Sequence, residues 1–301
     1  MSKRNLFLLA ILMSVFSGCT LTPTEKNKLA INERPVTVEH ARDSMKNSHD
    51  KQEVINQILS KSGTDEVLKQ LPVSVAMGFD QQPKPPMKSR EYKQFRQNLI
   101  DAYDPIKIRK TISDYLLSQY ETEKFYALLI LLDRPLVKKM TALEVASQTP
   151  QAIQDMMQTG NIIMGQASPK RLEIIHALDQ AMNATEMAID MQMMISTATM
   201  VNMNKIVPVD QQMTKNQLTN MIDQMRVQSK FPTQQFVHLS MVYAYQTVSE
   251  AELEEYIRYM KSDIGLWSTQ IFTSAWLEVS ENTADRLSEL MDKTFVRENV
   301  L

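Results

Sequence analysis

The amino-acid sequence predicts an all-α protein, a helical bundle whose helices are joined by short connections. The 301-residue chain contains only 6 glycines but 22 methionines. Glycine supplies tight turns and phosphate-binding loops, whereas methionine is a good helix former and an adaptable core residue. Beyond about residue 50, apolar residues recur at spacings of three and four, which is the helical period. The apolar fraction of 43% allows a substantial core.

The N-terminus has the order of a secretory signal. Lys3 and Arg4 precede an apolar run at 6–16, and two small residues follow before Cys19, the one cysteine of the chain. The run is about half the ~20 residues that a membrane-spanning helix needs. The segment resembles a bacterial lipoprotein signal. That resemblance implies that residues 1–18 are a signal peptide and that Cys19 is acylated, with palmitate among its acyl groups, as the first mature residue. The alternative is an ordinary secretory signal with an incidental cysteine.

The resemblance also implies a location, the periplasmic face of the outer membrane, because Thr20 and not Asp follows the cysteine. Two or more acyl chains anchor a protein stably, whereas one binds marginally. Residues 19–50 are polar and mixed in charge, so we expect a flexible tether that spans roughly 30 Å.

Charge argues against nucleic acid as a partner. Removal of Lys3 and Arg4 lowers the 33 basic side chains of the chain to 31, against 35 acidic ones, for a net charge of −4 in the mature protein. No basic stripe interrupts this mild acidity.

Capping residues, prolines and glycines predict the helix boundaries. Gly63 predicts a helix end and Thr64 the next start, while Asp104 and Pro105 predict an N-cap and first helical residue. Further breaks or kinks are expected at Pro72, Pro83, Pro85, Pro86, Pro135, Gly165, Ser168 and Pro169.

After the break at 165–169 the order of signals recurs. At a shift of 128 positions, apolar residues of the first half correspond to apolar residues of the second: Phe125 to Leu253, Leu128 to Tyr256, Leu129 to Ile257 and Leu132 to Met260. The sequence therefore predicts two related helical repeats, at 51–166 and 167–301. Chance alignment of amphipathic helices is the alternative.

The stretch from Ser249 to Gly265 is similar to a widespread bacterial domain of unknown function found in exported helical proteins. That family has an acidic Glu-Leu helix start and an aromatic-rich segment ending in Ser-Pro-x-Gly. The matching residues are Glu252, Leu253, Tyr259, Ser262 and Gly265, with Asp263 in place of the proline; in the first half Pro135 is kept, but Arg134 and Val137 replace the serine and glycine. The resemblance implies an all-helical fold and no chemistry. Physically, Ser249 with Glu252 predicts a capping box, and 262–265 a helix–helix corner.

A methionine cluster is the main candidate for a binding site. It comprises Met182, Met187, Met191, Met193, Met194, Met200 and Met203. Methionines at helical spacing are typical of a core, and they also line adaptable grooves for apolar ligands. Thioethers bind Cu(I), but methionine sites for copper usually add histidine or aromatic residues, and His176 lies eleven residues before Met187.

No catalytic or metal-binding motif is found. His40 and His49 lie in the tether, and His176 and His238 stand singly on predicted helices. There is no H-E-x-x-H, G-x-S-x-G, Walker or dinucleotide motif, and the carboxylates are dispersed beside basic residues. We therefore expect no enzyme activity, no cofactor and no metal.

The helix that follows Gly265 is apolar on two flanks, one with Leu266, Trp267 and Ile271, the other with Phe272, Trp276 and Val279. Such a helix is usually buried between layers; a dimer or partner surface is the alternative. The sequence as a whole favours an interaction or scaffold protein of an envelope process that binds a protein partner. The alternative function is binding of a lipid or other hydrophobic ligand in a Met-rich groove.

Overall fold

The computed structural model describes residues 48–80, 89–206 and 212–296, and every regular element within these ranges is a helix. The predicted all-α class is therefore confirmed. The helices are α1 (Ser48–Lys61), α2 (Thr64–Asp80), α3 (Ser89–Ala102), α4 (Pro105–Ser118), α5 (Thr122–Leu132), α6 (Pro135–Ser147), α7 (Pro150–Gln166), α8 (Pro169–Met182), α9 (Ala184–Ile206), α10 (Lys215–Ala244), α11 (Glu250–Met260) and α12 (Asp263–Met291), with a π-helical turn at Asp292–Val296.

The predicted boundaries are confirmed where local signals were strong. Gly63 lies between α1 and α2 with a φ of 67°, a conformation that glycine adopts without a steric cost. The Asp104 side chain accepts hydrogen bonds from the backbone N–H groups of Ile106 and Lys107, and Pro105 is the first residue of α4.

Three predictions fall partly or wholly outside the described residues: the signal peptide at 1–18, the tether at 19–50 and the proline-rich break. Helix α1 begins at Ser48, so the last three residues assigned to the tether, including His49, belong to this helix. The rest of the tether with Cys19 and His40, and the prolines at 83, 85 and 86, lie outside the described ranges.

One hydrophobic core runs through both predicted repeats. Ile55 and Ile112 of the first half and Ile175, Leu253 and Ala275 of the second belong to the same cluster of buried side chains, and each of these five is fully buried. Neither half therefore has a core of its own, and apolar burial, at about 25 cal/mol per Å², stabilises both together.

Parts of the two halves match in helix spacing and packing, although the first half has seven helices and the second has five among the described residues. Helices α5 and α11 each have 11 residues and begin 128 positions apart, as do the starts of α6 and α12. Helix α1 packs against α2, α4 and α5, and α8 packs against α9, α10 and α11. Between the halves, α6 packs against α10 while α12 packs against α4. An origin by duplication stays a prediction, which this arrangement supports.

Helix α12 lies at the centre of the bundle, against α4, α5, α9 and α3. Its residues Ile271, Phe272, Trp276 and Val279 are at most 8% exposed, which confirms the buried interpretation for these positions. Trp267 is half-buried, however, and Leu266 is 47% exposed, because the helix turns this edge of its N-terminal end to solvent. Among the described residues, no helix combines the length and hydrophobicity needed to cross a bilayer.

Candidate functional site

The methionine cluster is mainly core. Met182, Met187, Met191 and Met193 are at most 5% exposed, and Met187 accepts a hydrogen bond on Sδ from Thr273 Oγ1 at 3.6 Å. Met194 and Met200 are half-buried on the later turns of α9, and the side chain of Met203 lies outside the described ones. Most of these thioethers thus fill space between helices, which is the usual role of methionine.

Met193 and Met194 of this cluster line a groove of about 630 Å³ along α9. Its apolar lining comes from Met193, Met194 and Val201 of α9 and from Leu277 and Ala284 of α12. The volume is within the usual range of about 300–1,000 Å³ for ligand pockets. Unlike most such pockets, the groove is largely open to solvent.

Charged residues border the groove on both sides. Arg226 of α10 forms an ion pair with Asp190 at 2.6 Å, and Lys230 forms one with Glu186 at 2.8 Å, so the α10 side is neutralised. On the α12 side, Glu281 and Asp285 are exposed one helical turn apart. Within the described part of the chain neither of these two carboxylates has an ion-pair partner. The groove therefore offers an apolar floor and one negatively charged wall.

A buried polar cluster, which the sequence analysis did not find, joins the two halves. Glu144 of α6 is 6% exposed, and its Oε1 accepts hydrogen bonds from the hydroxyls of Tyr245, in a short contact, and of Tyr256, at 3.3 Å. Arg171 holds the same region by donating to the carbonyl oxygens of Val248 and Tyr245. Sequence separations of 101 and 112 residues left no local signal for this contact.

Burial raises the pKa of the Tyr245 and Tyr256 hydroxyls well above 10, and the nearby Glu144 carboxyl raises both further. Both phenols therefore stay protonated and act as hydrogen-bond donors. Tyr256 also lines a small, partly open pocket of about 60 Å³ between α5, α6, α11 and α12. This pocket has room for a few water molecules but not for an acyl chain. The geometry assigns the cluster a structural role, because it ties α6 to the second half.

The predicted capping motif is confirmed. Ser249 Oγ accepts a hydrogen bond from the Glu252 N–H, and the Glu252 carboxylate accepts one from the Ser249 N–H at 3.0 Å. Ser262 caps α12 by accepting from the Gly265 N–H. A Cβ at Gly265 would lie 2.2 Å from the carbonyl oxygen of Tyr259, so the corner requires glycine.

Two histidines that stand singly in the sequence are brought together. The ring centroids of His176 on α8 and His238 on α10 are 5.6 Å apart, and Asp179 lies beside both rings. The pair His176 and Asp179, three positions apart on one helix, is visible in the sequence. His238 follows 59 residues later, and only helix packing places it there.

The chain matches no family model, no curated protein and no solved structure. The resemblances to lipoprotein signals and to an exported helical family therefore stay predictions.

Proposed function

We propose that this chain is a non-enzymatic lipoprotein of the bacterial envelope, anchored through Cys19 to the periplasmic face of the outer membrane. The order of residues 1–19 supports the anchor, and the helical body that begins at Ser48 supports a folded domain about thirty residues beyond it. The protein acts as a scaffold or accessory subunit by binding a protein partner.

The groove between α9 and α12 carries the interaction proposal. Its floor presents Met194, Val201 and Leu277, and its wall presents Glu281 and Asp285. An amphipathic helix with apolar residues at spacings of three and four and basic residues along one edge complements both features. We therefore propose a basic amphipathic helix of an envelope protein as the occupant.

Charge reversal in the groove tests this proposal. In cells that carry the native anchor, we expect cross-linking to recover a reproducible envelope partner with the wild-type protein and to lose it with Glu281→Lys. Glu278→Lys is the matched control, since Glu278 is also exposed on the same helix but does not line the groove. Equal recovery with all three proteins, or no partner with the wild type, would contradict the proposal.

The anchor has a separate test. Radiolabelled palmitate should enter the wild-type protein and should not enter Cys19→Ser. Equal labelling of both proteins, or no labelling of either, would remove the membrane placement while leaving the groove result interpretable.

A hydrophobic ligand is the second candidate, favoured by the apolar lining of the same groove. Mass spectrometry of small molecules extracted from the purified protein would detect a co-purified lipid. Leu277→Asp should abolish binding of either occupant, whereas Glu281→Lys should spare a neutral lipid. An empty protein whose melting temperature is unchanged by added lipids would end this alternative.

A further inference from the structure

Three potential metal ligands converge where α8 meets α10. His176 and Asp179 lie one turn apart on α8, and His238 faces them from α10. One ligand atom of each residue lies within 4.8 Å of the other two. His238 Nε2 is 3.0 Å from Asp179 Oδ2. Ligand atoms around a tetrahedral zinc ion, at bonds of about 2.0–2.1 Å, stand roughly 3.4 Å apart, so small side-chain rotations suffice.

Asp179 is held in place independently of either histidine. It is 4% exposed, and its two oxygens accept hydrogen bonds from the Thr185 N–H at 2.8 Å and the Thr185 hydroxyl at 2.7 Å. Asn183, with a φ of 53°, turns the chain between α8 and α9 and so brings Thr185 back to Asp179. Metal-ligating carboxylates are commonly fixed by such a second hydrogen bond, which orients the ligand and limits its loss of entropy.

The hydrogen bonds to Asp179 favour the charged form of its carboxyl group. Burial by itself would raise its pKa, but the hydrogen bonds from His238 and Thr185 outweigh burial, and the pKa lies below the ordinary value of 3.8. An ionised carboxylate beside two imidazoles offers a negatively charged oxygen and two nitrogens.

One side of the cluster faces solvent. His176 is exposed, and its Nε2 is 3.0 Å from the side-chain amide of Gln180, which can rotate away. An ion can therefore reach Asp179 and His238 from the His176 side, and a fourth ligand position is open to water. Two histidines and one carboxylate with an open position form a donor set that suits zinc.

The corresponding corner of the first half shows a different chemistry. There Arg109, from α4, donates to Asp65 at 2.8 Å and to Asn56 at 3.3 Å. A guanidinium keeps its proton and cannot bind a cation, so that corner is a plain ion pair. The histidines of the second half, in contrast, can each donate a nitrogen lone pair to a cation.

We propose that His176, Asp179 and His238 form a binding site for a divalent transition-metal cation of the zinc class. On binding, the ion takes the position of the hydrogen between His238 Nε2 and Asp179 Oδ2. Any proton on Nε2 moves to Nδ1 or leaves to solvent, so that the Nε2 lone pair and the Asp179 carboxylate both ligate the ion directly. The ion then clamps α8 to α10 at the corner where α9 begins.

The test uses the full-length mature protein in detergent, stripped with a chelator and titrated with Co²⁺ and then Zn²⁺. We expect one ion per chain, visible d–d absorption bands of four-coordinate Co²⁺, and their loss when Zn²⁺ displaces Co²⁺. His176→Ala should lower Zn²⁺ affinity at least ~10-fold without altering the melting temperature of the metal-free protein, because this side chain is exposed.

Two further variants separate ligation from folding. Thr185→Val keeps all three ligands but removes the hydroxyl that orients Asp179, and it should weaken Zn²⁺ binding by about 10-fold. His40→Ala is the control: His40 is not one of the three proposed ligands, so this variant should bind Zn²⁺ as the wild type does. The proposal is overturned if the wild type binds no Zn²⁺, or if affinity persists when His176 and His238 are both replaced.

Discussion

Two helix corners of this bundle each turn at a residue of positive φ but carry different side chains. Between α1 and α2 the turn residue is Gly63, and a charged pair, Asp65 with Arg109, closes the corner. Between α8 and α9 the turn residue is Asn183, and Asp179 closes the corner with Thr185 and His238. A positive φ at both turns thus leaves the side-chain chemistry free to differ, and of these two corners the second is the one that contains histidines.

A second comparison concerns the starts of α6 and α12, which lie 128 positions apart. Gly265 occupies the third position of α12, where Val137 stands in α6. In the second half the backbone of α12 comes so close to the end of α11 that a Cβ at Gly265 would lie 2.2 Å from Tyr259 O and 2.6 Å from Met260 O. The first half, which accommodates a buried valine, does not have this tight corner.

The largest expected effect on stability follows from the short distance between the α12 backbone and the end of α11. Gly265→Ala should destabilise the protein by about 3 kcal/mol, because backbone atoms, unlike side-chain ends, cannot move aside. Chemical unfolding followed by circular dichroism measures the free-energy change. Gly165→Ala is the matched control: its Cβ meets nothing within 4 Å, and we expect a gain of about 0.5–1 kcal/mol from helix propensity. Equal effects of the two substitutions would contradict the close approach.

The next largest loss of stability is expected in the buried polar cluster of Glu144, Tyr245 and Tyr256. Tyr245→Phe should cost about 1–3 kcal/mol, because it removes a buried hydrogen bond to Glu144. Tyr256→Phe removes a longer bond, of 3.3 Å, and should cost less. A double-mutant cycle with Glu144→Gln, measured by urea unfolding, should show coupling for both tyrosines. Additive effects would mean that the carboxyl and the phenols act separately.

The comparison of the turns at Gly63 and Asn183 predicts a smaller difference in the free energy of unfolding. Gly63→Ala should cost about 1–2 kcal/mol, because an L side chain is strained at a φ of 67°. Asn183→Gly should change stability by less than about 0.5 kcal/mol, since asparagine and glycine both adopt this conformation. Thermal unfolding of the two variants beside the wild type checks the prediction. A larger loss at Asn183 would mean that its side chain contributes a contact of its own.

The smallest effect concerns the caps of the matched helices α5 and α11. Glu121 caps α5 without a side-chain hydrogen bond, whereas Ser249 and Glu252 form a capping box on α11. A hydrogen bond from Lys139, followed by those from Ser249, lowers the pKa of Glu252 from 4.5 to about 2. Because the folded-state pKa is depressed, the stabilisation by Glu252 is fully present above about pH 4.5 and is lost as the pH falls through about 2.

Urea unfolding at neutral pH and at about pH 2 tests this sign. Glu252→Gln should be less stable than the wild type at neutral pH, and the gap should narrow in acid. Glu278→Gln, which removes an exposed carboxyl of α12, is measured beside it as the control. A gap that widens in acid would refute the assignment.

Much of the secondary structure could be predicted because its signals are local. The Asp104 cap, the Gly63 stop and the Ser249 capping box each satisfy free backbone groups within about four residues. The turn at Asn183, which has a positive φ, was not predicted, because asparagine indicates such turns less strongly than glycine does. The exposure of Leu266 could not be predicted either, because it depends on which elements pack beside the start of α12.

By itself, the sequence determined the helix class, most helix boundaries and the apolar faces, because these depend on propensity and spacing along one segment. Tertiary structure alone decided that Glu144 meets Tyr245, that Met194 and Leu277 share a groove, and that His238 reaches Asp179. An amphipathic pattern specifies that a face is buried but not which other face covers it, since many pairs of apolar faces pack about equally well. Contacts between residues 59 to 101 positions apart are settled only when all the helices share one core.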